Sequence, residues 1–290
     1  MMSLREVLAD AERRGVAVGH FNVAELAALK AIVASGAALG VPVLIGVSEG
    51  ERDFIGVREI AALVRAIRDE HPHQVFLNAD HTHSLARAEE AARAGFDQII
   101  FDASAEPFEV NVAQTKRAVE AIRSINSSIV VEGKIGYIGA ASEILFEAPK
   151  EMGTLTTPAE AKAFVDATGI DVLAPAVGNM HGLLASMVHG QTHKRLDIER
   201  IKAIKESTGI FMMTLHGGSG TSDADFASAI KAGMTIVHVN TELRIAWRRG
   251  IETGLAQHPD EVAPCKLVPA AVDAVRAVVS ARLRLFNSKA

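Results

Sequence analysis

The chain has a single cysteine, a single tryptophan and a single tyrosine, and aromatic residues make up only 4% of its 290 positions. One cysteine, Cys265, excludes an internal disulfide framework and fits a reducing cytoplasm. So few aromatic rings argue against a stacked carbohydrate platform and imply a core of Ala, Val, Ile and Leu. Long apolar runs are also missing. The stretch 31–47 is interrupted by Ser35, Gly36, Gly40 and Pro42, so no membrane span is expected. The opening Met1-Met2-Ser3-Leu4-Arg5-Glu6 lacks the charged-then-apolar pattern of a signal peptide. Lys and Arg number 30 against 35 Asp and Glu, a net charge of −5 without a basic cluster. A nucleic-acid partner is therefore not expected.

What remains is a cytoplasmic globular chain, 49% hydrophobic and 22% charged, with enough apolar material for a sizeable core. Short β-branched runs alternate with amphipathic stretches rich in Ala, Glu, Arg and Lys. Strands are expected over 16–23, 42–48, 75–80, 98–104, 129–136, 172–178, 211–217 and 235–241, each nearly continuously apolar and so suited to burial on both faces. Helices are expected over 84–94, 111–123, 158–168, 197–206 and 223–232, with Thr157 and Ser222 as N-caps and Pro158 at the first helical position. Eight strands alternating with helices predict an α/β (β/α)₈ TIM barrel, one domain over 1–290 with a helical C-terminal tail. A doubly wound open sheet is the competitor, but no Gly-x-Gly-x-x-Gly follows the first strand.

Barrel chemistry collects at the carboxyl ends of the strands. Those ends carry Asn22, Ser48, Asp80-His81, Asp102-Ala103-Ser104, Glu132, His181, His216-Gly217-Gly218-Ser219 and Asn240-Thr241. Singly, each group could cap a helix or finish a turn; together they converge on one mouth. Three imidazoles, His81, His181 and His216, leave room for a substrate oxygen on a catalytic Zn²⁺. The glycines of 217–220 let backbone N–H groups approach an anion, in the loop where barrels frequently hold phosphate.

At this point the chain resembles a family, the class II metal-dependent ketose-bisphosphate aldolases, over essentially its whole length. The resemblance is carried by Gly19-His20-Phe21-Asn22, Asn78-Ala79-Asp80-His81, Phe101-Asp102-Ala103-Ser104, His181-Gly182, Leu215-His216-Gly217-Gly218-Ser219-Gly220 and Asn240-Thr241-Glu242-Leu243-Arg244. It implies one Zn²⁺ per chain on His81, His181 and His216, polarising a ketose carbonyl, with Asp80 as general base. It implies that Gly182, Gly217, Gly218, Ser219, Asn240 and Thr241 hold a substrate phosphate, with a monovalent cation near it. Asn22 and Ser48 would hold the far end of the sugar. A small phosphorylated sugar is the implied partner, and a homodimer or homotetramer the implied assembly.

Four departures from the family pattern bear on the pocket. Glu132-Gly133-Lys134 puts lysine where the family has a second glutamate. The loop Gly139-Ala140-Ala141-Ser142-Glu143 lacks the usual acids, with Glu143 as a substitute if the loop is offset. No lysine follows His181-Gly182, and His238 stands in place of an asparagine that contacts substrate. The missing phosphate charge has two sources open to it, Lys134 or Lys194; Lys134 could equally pair with Glu132 or point to solvent. His83 is read as an alternate metal ligand, a proton carrier or a loop residue, and His20 as a pocket-lining one. His71, His73, His189, His193 and His258 are read as surface residues. Three functions follow: an aldolase on a phosphorylated ketose, of which a different ketose monophosphate is one form; a non-catalytic sugar-phosphate binder; and a metal hydrolase suggested by His81-x-His83.

Overall fold

In the computed structural model, which describes residues 2–139, 142–147, 154–209 and 212–288, eight parallel strands close into a barrel. They are Val18–Asn22, Val43–Val47, Val75–Thr82, Gln98–Phe101, Val130–Ile135, Val172–Pro175, Met212–Leu215 and Met234–Val239. Neighbours follow chain order, and the eighth strand closes on the first with Val18 opposite Ile236 and His20 opposite His238. This is a (β/α)₈ barrel.

The strand centres lie where the β-branched runs place them, and the ends differ. The eighth strand stops at Val239, because Asn240 leaves the extended region and Thr241 opens the helix Thr241–Gln257. Ser48 likewise leaves its strand to cap the helix Glu49–Ile55 through a capping box with Glu51. The third strand runs two residues past Asp80, and the fourth stops at Phe101, short of 104. The expected start of the seventh strand at Phe211 lies outside the described residues, as do Ala140, Ala141 and the last two residues of the tail. Helix Pro158–Thr168 has the expected bounds, with Thr157 and Glu160 forming its capping box. Asp223–Lys231 keeps Ser222 as its cap.

Residue parity along the strands separates two environments. Val43, Ile45, Leu77, Val131 and Leu215 join the cluster shared with the surrounding helices. Val18, Leu44, Phe76, Val130, Val172 and Ile236 instead cluster with Leu4, Val7, Leu8 and Ala11 of the helix Leu4–Arg14. Successive strand side chains point to opposite faces. The even-numbered set therefore fills the barrel interior, and the N-terminal helix plugs its amino end. Two or four residues further along, the same interior face presents His20, Asn22, Asn78, Asp80, Glu132, Lys134, Thr214, His216 and His238, all buried. The interior changes from apolar to polar within about two residue steps of ~3.3 Å each.

Candidate active site

Two of the three expected metal histidines sit off this parity. His81 is odd-numbered, and a regular strand would send it outwards. The pairing with the fourth strand shifts register between Ala79 and Thr82, and His81 adopts φ 43°, in the left-handed region. The bulge turns His81 towards the mouth and Thr82 outwards, where its hydroxyl meets the Arg52 guanidinium at 3.2 Å. His181 comes from the loop after the sixth strand, and His216 from the end of the seventh.

Each imidazole is held by its outer nitrogen. His81 Nδ1 donates to Asp102 Oδ2 at 2.6 Å, and His181 Nδ1 donates to the Gly139 carbonyl at 2.6 Å. His216 Nε2 meets Glu132 Oε1 at 2.7 Å. Glu132 is itself fixed by Gln98 Nε2 at 2.8 Å and the Thr214 hydroxyl at 2.7 Å. These partners fix tautomers whose bare nitrogens face inwards. His81 Nε2 and His216 Nδ1 face each other at 3.2 Å; with both outer nitrogens donating, two lone pairs meet there, and a cation between them relieves the repulsion. The three histidines offer ligand nitrogens that all lie within 4.8 Å of one another, so the donor set fits a divalent metal of the Zn²⁺ type. Burial, joined by the charges of Asp80 and Asp102, pushes the Glu132 carboxyl up to about 8; a cation on the histidines works the other way. Burial also pushes His181 down to about 3, aided by His81 and Lys134, which keeps it a neutral donor.

Asp80 lies beside this trio. Its Oδ2 accepts from Asn22 Nδ2 at 2.9 Å, and the same amide reaches Glu51 Oε2 at 2.9 Å. Its Oδ1 has no hydrogen-bond partner and stands 3.7 Å from both His81 Nε2 and His238 Nδ1. Burial pushes the Asp80 carboxyl up, but His81, His20, His216 and the Asn22 amide outweigh it and hold the group below its ordinary value. Beneath it His238 and His20 stack with ring centroids 3.4 Å apart. Room for His20 comes from Gly46, where a Cβ would stand 2.1 Å from the His20 ring. His20 is fully buried with Nε2 on Asn78 Oδ1 at 3.2 Å, under the pocket and not lining it.

The mouth is a cavity of about 520 Å³ lined by Ser48, Asp80, His81, Asp102, Lys134, Glu143 and Arg244, among others. A narrow recess leads from it past His181, Gly182, Gly217, Ser219, His238, Asn240 and Thr241. Gly217 has φ 60°, and a Cβ there would lie 2.3 Å from the Met180 carbonyl, so only glycine brings the two loops this close. The amino end of helix Thr241–Gln257 opens on the recess, with Asn240 giving no side-chain cap bond. Such an end attracts anions.

The structure brings Asp80, His81, His181, Asn22, Gly182, Gly217, Ser219, Asn240 and Thr241 to one recess, and His216 joins His81 and His181 beside it. Gly218 does not line this recess: its N–H donates to the His238 carbonyl at 3.0 Å, which commits it to the backbone. Ser48 lines the wider cavity. Lys134 neither pairs with Glu132 nor points to solvent. It is buried and donates to Asp102 Oδ2 at 2.9 Å. Lys194 is the lysine that shares the recess with the glycine loop. His83 is exposed, its Nδ1 on the Asp102 carbonyl at 2.9 Å, and it joins no ligand cluster among the described residues. His73 is half-buried; His71, His189, His193 and His258 are exposed.

Sequence reading left Asp102, Gln98, Thr214 and Glu51 without a role. Gln98, Asp102 and Thr214 share one legible signal, a polar side chain at an even position of a strand run. Glu51 has only the capping spacing Ser48-x-x-Glu51.

The comparisons with known proteins agree with this geometry. The family model described as Fructose-bisphosphate aldolase class-II matches residues 2–290. A probable fructose-bisphosphate aldolase of Bacillus subtilis (strain 168) is 33% identical over 291 residues, covering 99% of this chain and 98% of that protein. Among solved structures, the YdjI aldolase from Escherichia coli K12 superposes with TM-score 0.83 at 26% identity, covering 100% of this chain and 98% of that one. A putative fructose-1,6-biphosphate aldolase from Coccidioides immitis gives TM-score 0.82 at 25% identity, covering 99% and 96%.

Proposed function

The chain belongs to the class II fructose-bisphosphate aldolase family, carbon–carbon lyases, and from that premise we propose that it cleaves a phosphorylated ketose to dihydroxyacetone phosphate and an aldehyde. A fructose- or tagatose-bisphosphate is the substrate type, bound with one Zn²⁺ per chain. The observation that carries this reading is the unpartnered Oδ1 of Asp80 beside three inward imidazole nitrogens. A divalent ion on His81, His181 and His216 supplies Lewis-acid polarisation of the ketose carbonyl.

The chain's own residues do the rest. Gly182, Gly217, Ser219 and Thr241, with the amino end of helix Thr241–Gln257, receive the phosphate and fix which carbonyl faces the histidines. The C4 hydroxyl then lies against Asp80 Oδ1. Asp80 takes its proton as the C3–C4 bond breaks and the electron pair moves towards C2, and it returns the proton in condensation. Asn22 holds the other Asp80 oxygen, so the carboxylate cannot turn away. Glu143, exposed at the lip of the cavity, is the acid available to protonate C3. A single barrel domain over 1–290, a cytoplasmic location and assembly as a homodimer or homotetramer belong to the same proposal and rest on the family resemblance.

A coupled assay for dihydroxyacetone phosphate release, run across ketose mono- and bisphosphates, tests the reading. Wild type cleaves at least one of them, and Asp80→Ala lowers kcat by about 10²–10⁴-fold. Cleavage unchanged by Asp80→Ala removes the base assignment. Tight phosphate-sugar binding without cleavage of any ketose makes the protein a binder instead.

A further inference from the structure

Among the described residues, Lys194 is the one lysine lining the recess that receives the phosphate, and it does not reach across it. Its side chain is buried, 3% exposed, and its Nζ donates to the carbonyls of Met180 at 2.6 Å, Gly182 at 2.8 Å and Gly217 at 2.8 Å. Those carbonyls flank the two loops that carry His181 and His216. Three backbone oxygens converging at this range form the kind of cage that takes a bare potassium or ammonium ion. A neutral amine has two N–H donors and an ammonium has three, so three carbonyl partners select the charged form, although burial draws the group down to about 7. Lys194 is anchored on the far side as well. Its own N–H donates to the Gly220 carbonyl at 3.0 Å, and it bridges Thr221.

We propose that the Lys194 ammonium is a built-in cation that fills the carbonyl cage beneath the phosphate loops, so that this chain holds its phosphorylated substrate without a free monovalent ion. The expected monovalent cation does not fit, because the oxygens that would bind it already have a donor. The same ammonium ties the His181 loop to the His216 loop and places a full positive charge beside Gly182, Gly217 and Ser219. It thereby restores, from below the recess, the charge missing after His181-Gly182. Lys194 is a positioning residue: it shapes the cradle through three carbonyls.

This inference rests on the phosphate-cradle reading, and the test separates the two. Cleavage kinetics of wild type and calorimetric binding of inorganic phosphate are measured in tetramethylammonium chloride and in potassium chloride at equal ionic strength. Wild type is expected to give the same KM and the same phosphate affinity in both. Lys194→Ala is expected to raise KM by about 10- to 100-fold in tetramethylammonium, with a smaller change in kcat, and to recover most of the loss when potassium or ammonium is added. Tetramethylammonium is too large to enter the cage, so recovery by the small ions alone is a signature that a structural role would not give. Strong stimulation of wild type by potassium overturns the proposal, as does a folded Lys194→Ala that no ion rescues. If that variant fails to fold, Lys194→Met with the wild-type ion comparison decides. Wild type that binds phosphate independently of potassium but cleaves no ketose sinks the aldolase reading and leaves the built-in cation standing.

Discussion

The two ends of the barrel are built on the same strands and the same side-chain parity, yet they do opposite work. At the amino end the interior is Val18, Leu44, Phe76, Val130, Val172 and Ile236, sealed by Leu4, Val7, Leu8 and Ala11. At the carboxyl end the same face presents His20, Asn78, Asp80, Glu132, Lys134, His216 and His238, equally buried. Burial at the amino end stabilises by removing apolar surface from water, about 25 cal/mol per Å². Burial at the carboxyl end costs free energy unless each polar group finds a partner. Among the described residues, Asp80 Oδ1 and His238 Nε2 find none, and both groups lie beside the histidine trio. Fold stability and chemistry are thus stacked in layers, and substitutions should sort by layer.

The largest expected effect is at the carboxyl end. His181→Ala removes one of three convergent nitrogens and should abolish tight Zn²⁺ binding, with cleavage lowered by about 10³-fold or more. The change lies in a loop and deletes no apolar packing, so the thermal midpoint of the metal-free protein should stay within a few degrees. Metal analysis, coupled assay and melting curves on the same preparations check this. Retained stoichiometric zinc would show that the trio is not the ligand set.

Next comes the opposite end. Phe76→Ala empties a buried ring from the apolar plug and should cost about 3–5 kcal/mol of stability. Denaturant melts measure that loss, and kcat for the surviving folded enzyme should match wild type. A drop in kcat comparable to the loss at His181 would mean that the two layers are coupled and the comparison breaks.

Much of this division was legible in the sequence. The strand centres were, because residues such as Val43–Val47 and Val130–Val131 face apolar neighbours on both sides and leave a continuous apolar run. The gathering of His81, His181 and His216 followed from barrel topology. What was hidden needs three dimensions. The bulge that turns His81 inwards has no composition signal in Ala79-Asp80-His81-Thr82. The stop of the eighth strand at Val239 was masked, since Thr241 suits a strand as well as a helix start. Lys134 finds Asp102 just past the end of the neighbouring strand, 32 positions earlier, and Lys194 finds backbone carbonyls, which no side-chain pattern announces.

The smallest expected effect sharpens the comparison most, because Asp102 belongs to both accounts. Its Oδ2 holds the His81 tautomer and pairs with the buried Lys134 ammonium, while its Oδ1 takes the Ser104 hydroxyl at 2.6 Å. Burial pushes this carboxyl up, but Lys134 and His81 outweigh it and hold it well below its ordinary value. Asp102→Asn keeps an oxygen for His81 Nδ1 but removes the charge. Metal affinity should fall by about 10- to 100-fold, the usual effect of losing a partner behind a ligand. The same change strands the Lys134 charge in the interior and should cost stability as well. Adding Lys134→Met to Asp102→Asn removes that stranded charge. It should return most of the lost stability but only part of the lost metal affinity, the part due to the unpaired ammonium that acts on His181 and His216, since Met restores no carboxylate behind His81. If the double variant recovers the wild-type metal affinity in full, the carboxylate serves Lys134 alone, and the His81 tautomer is set by something other than Asp102.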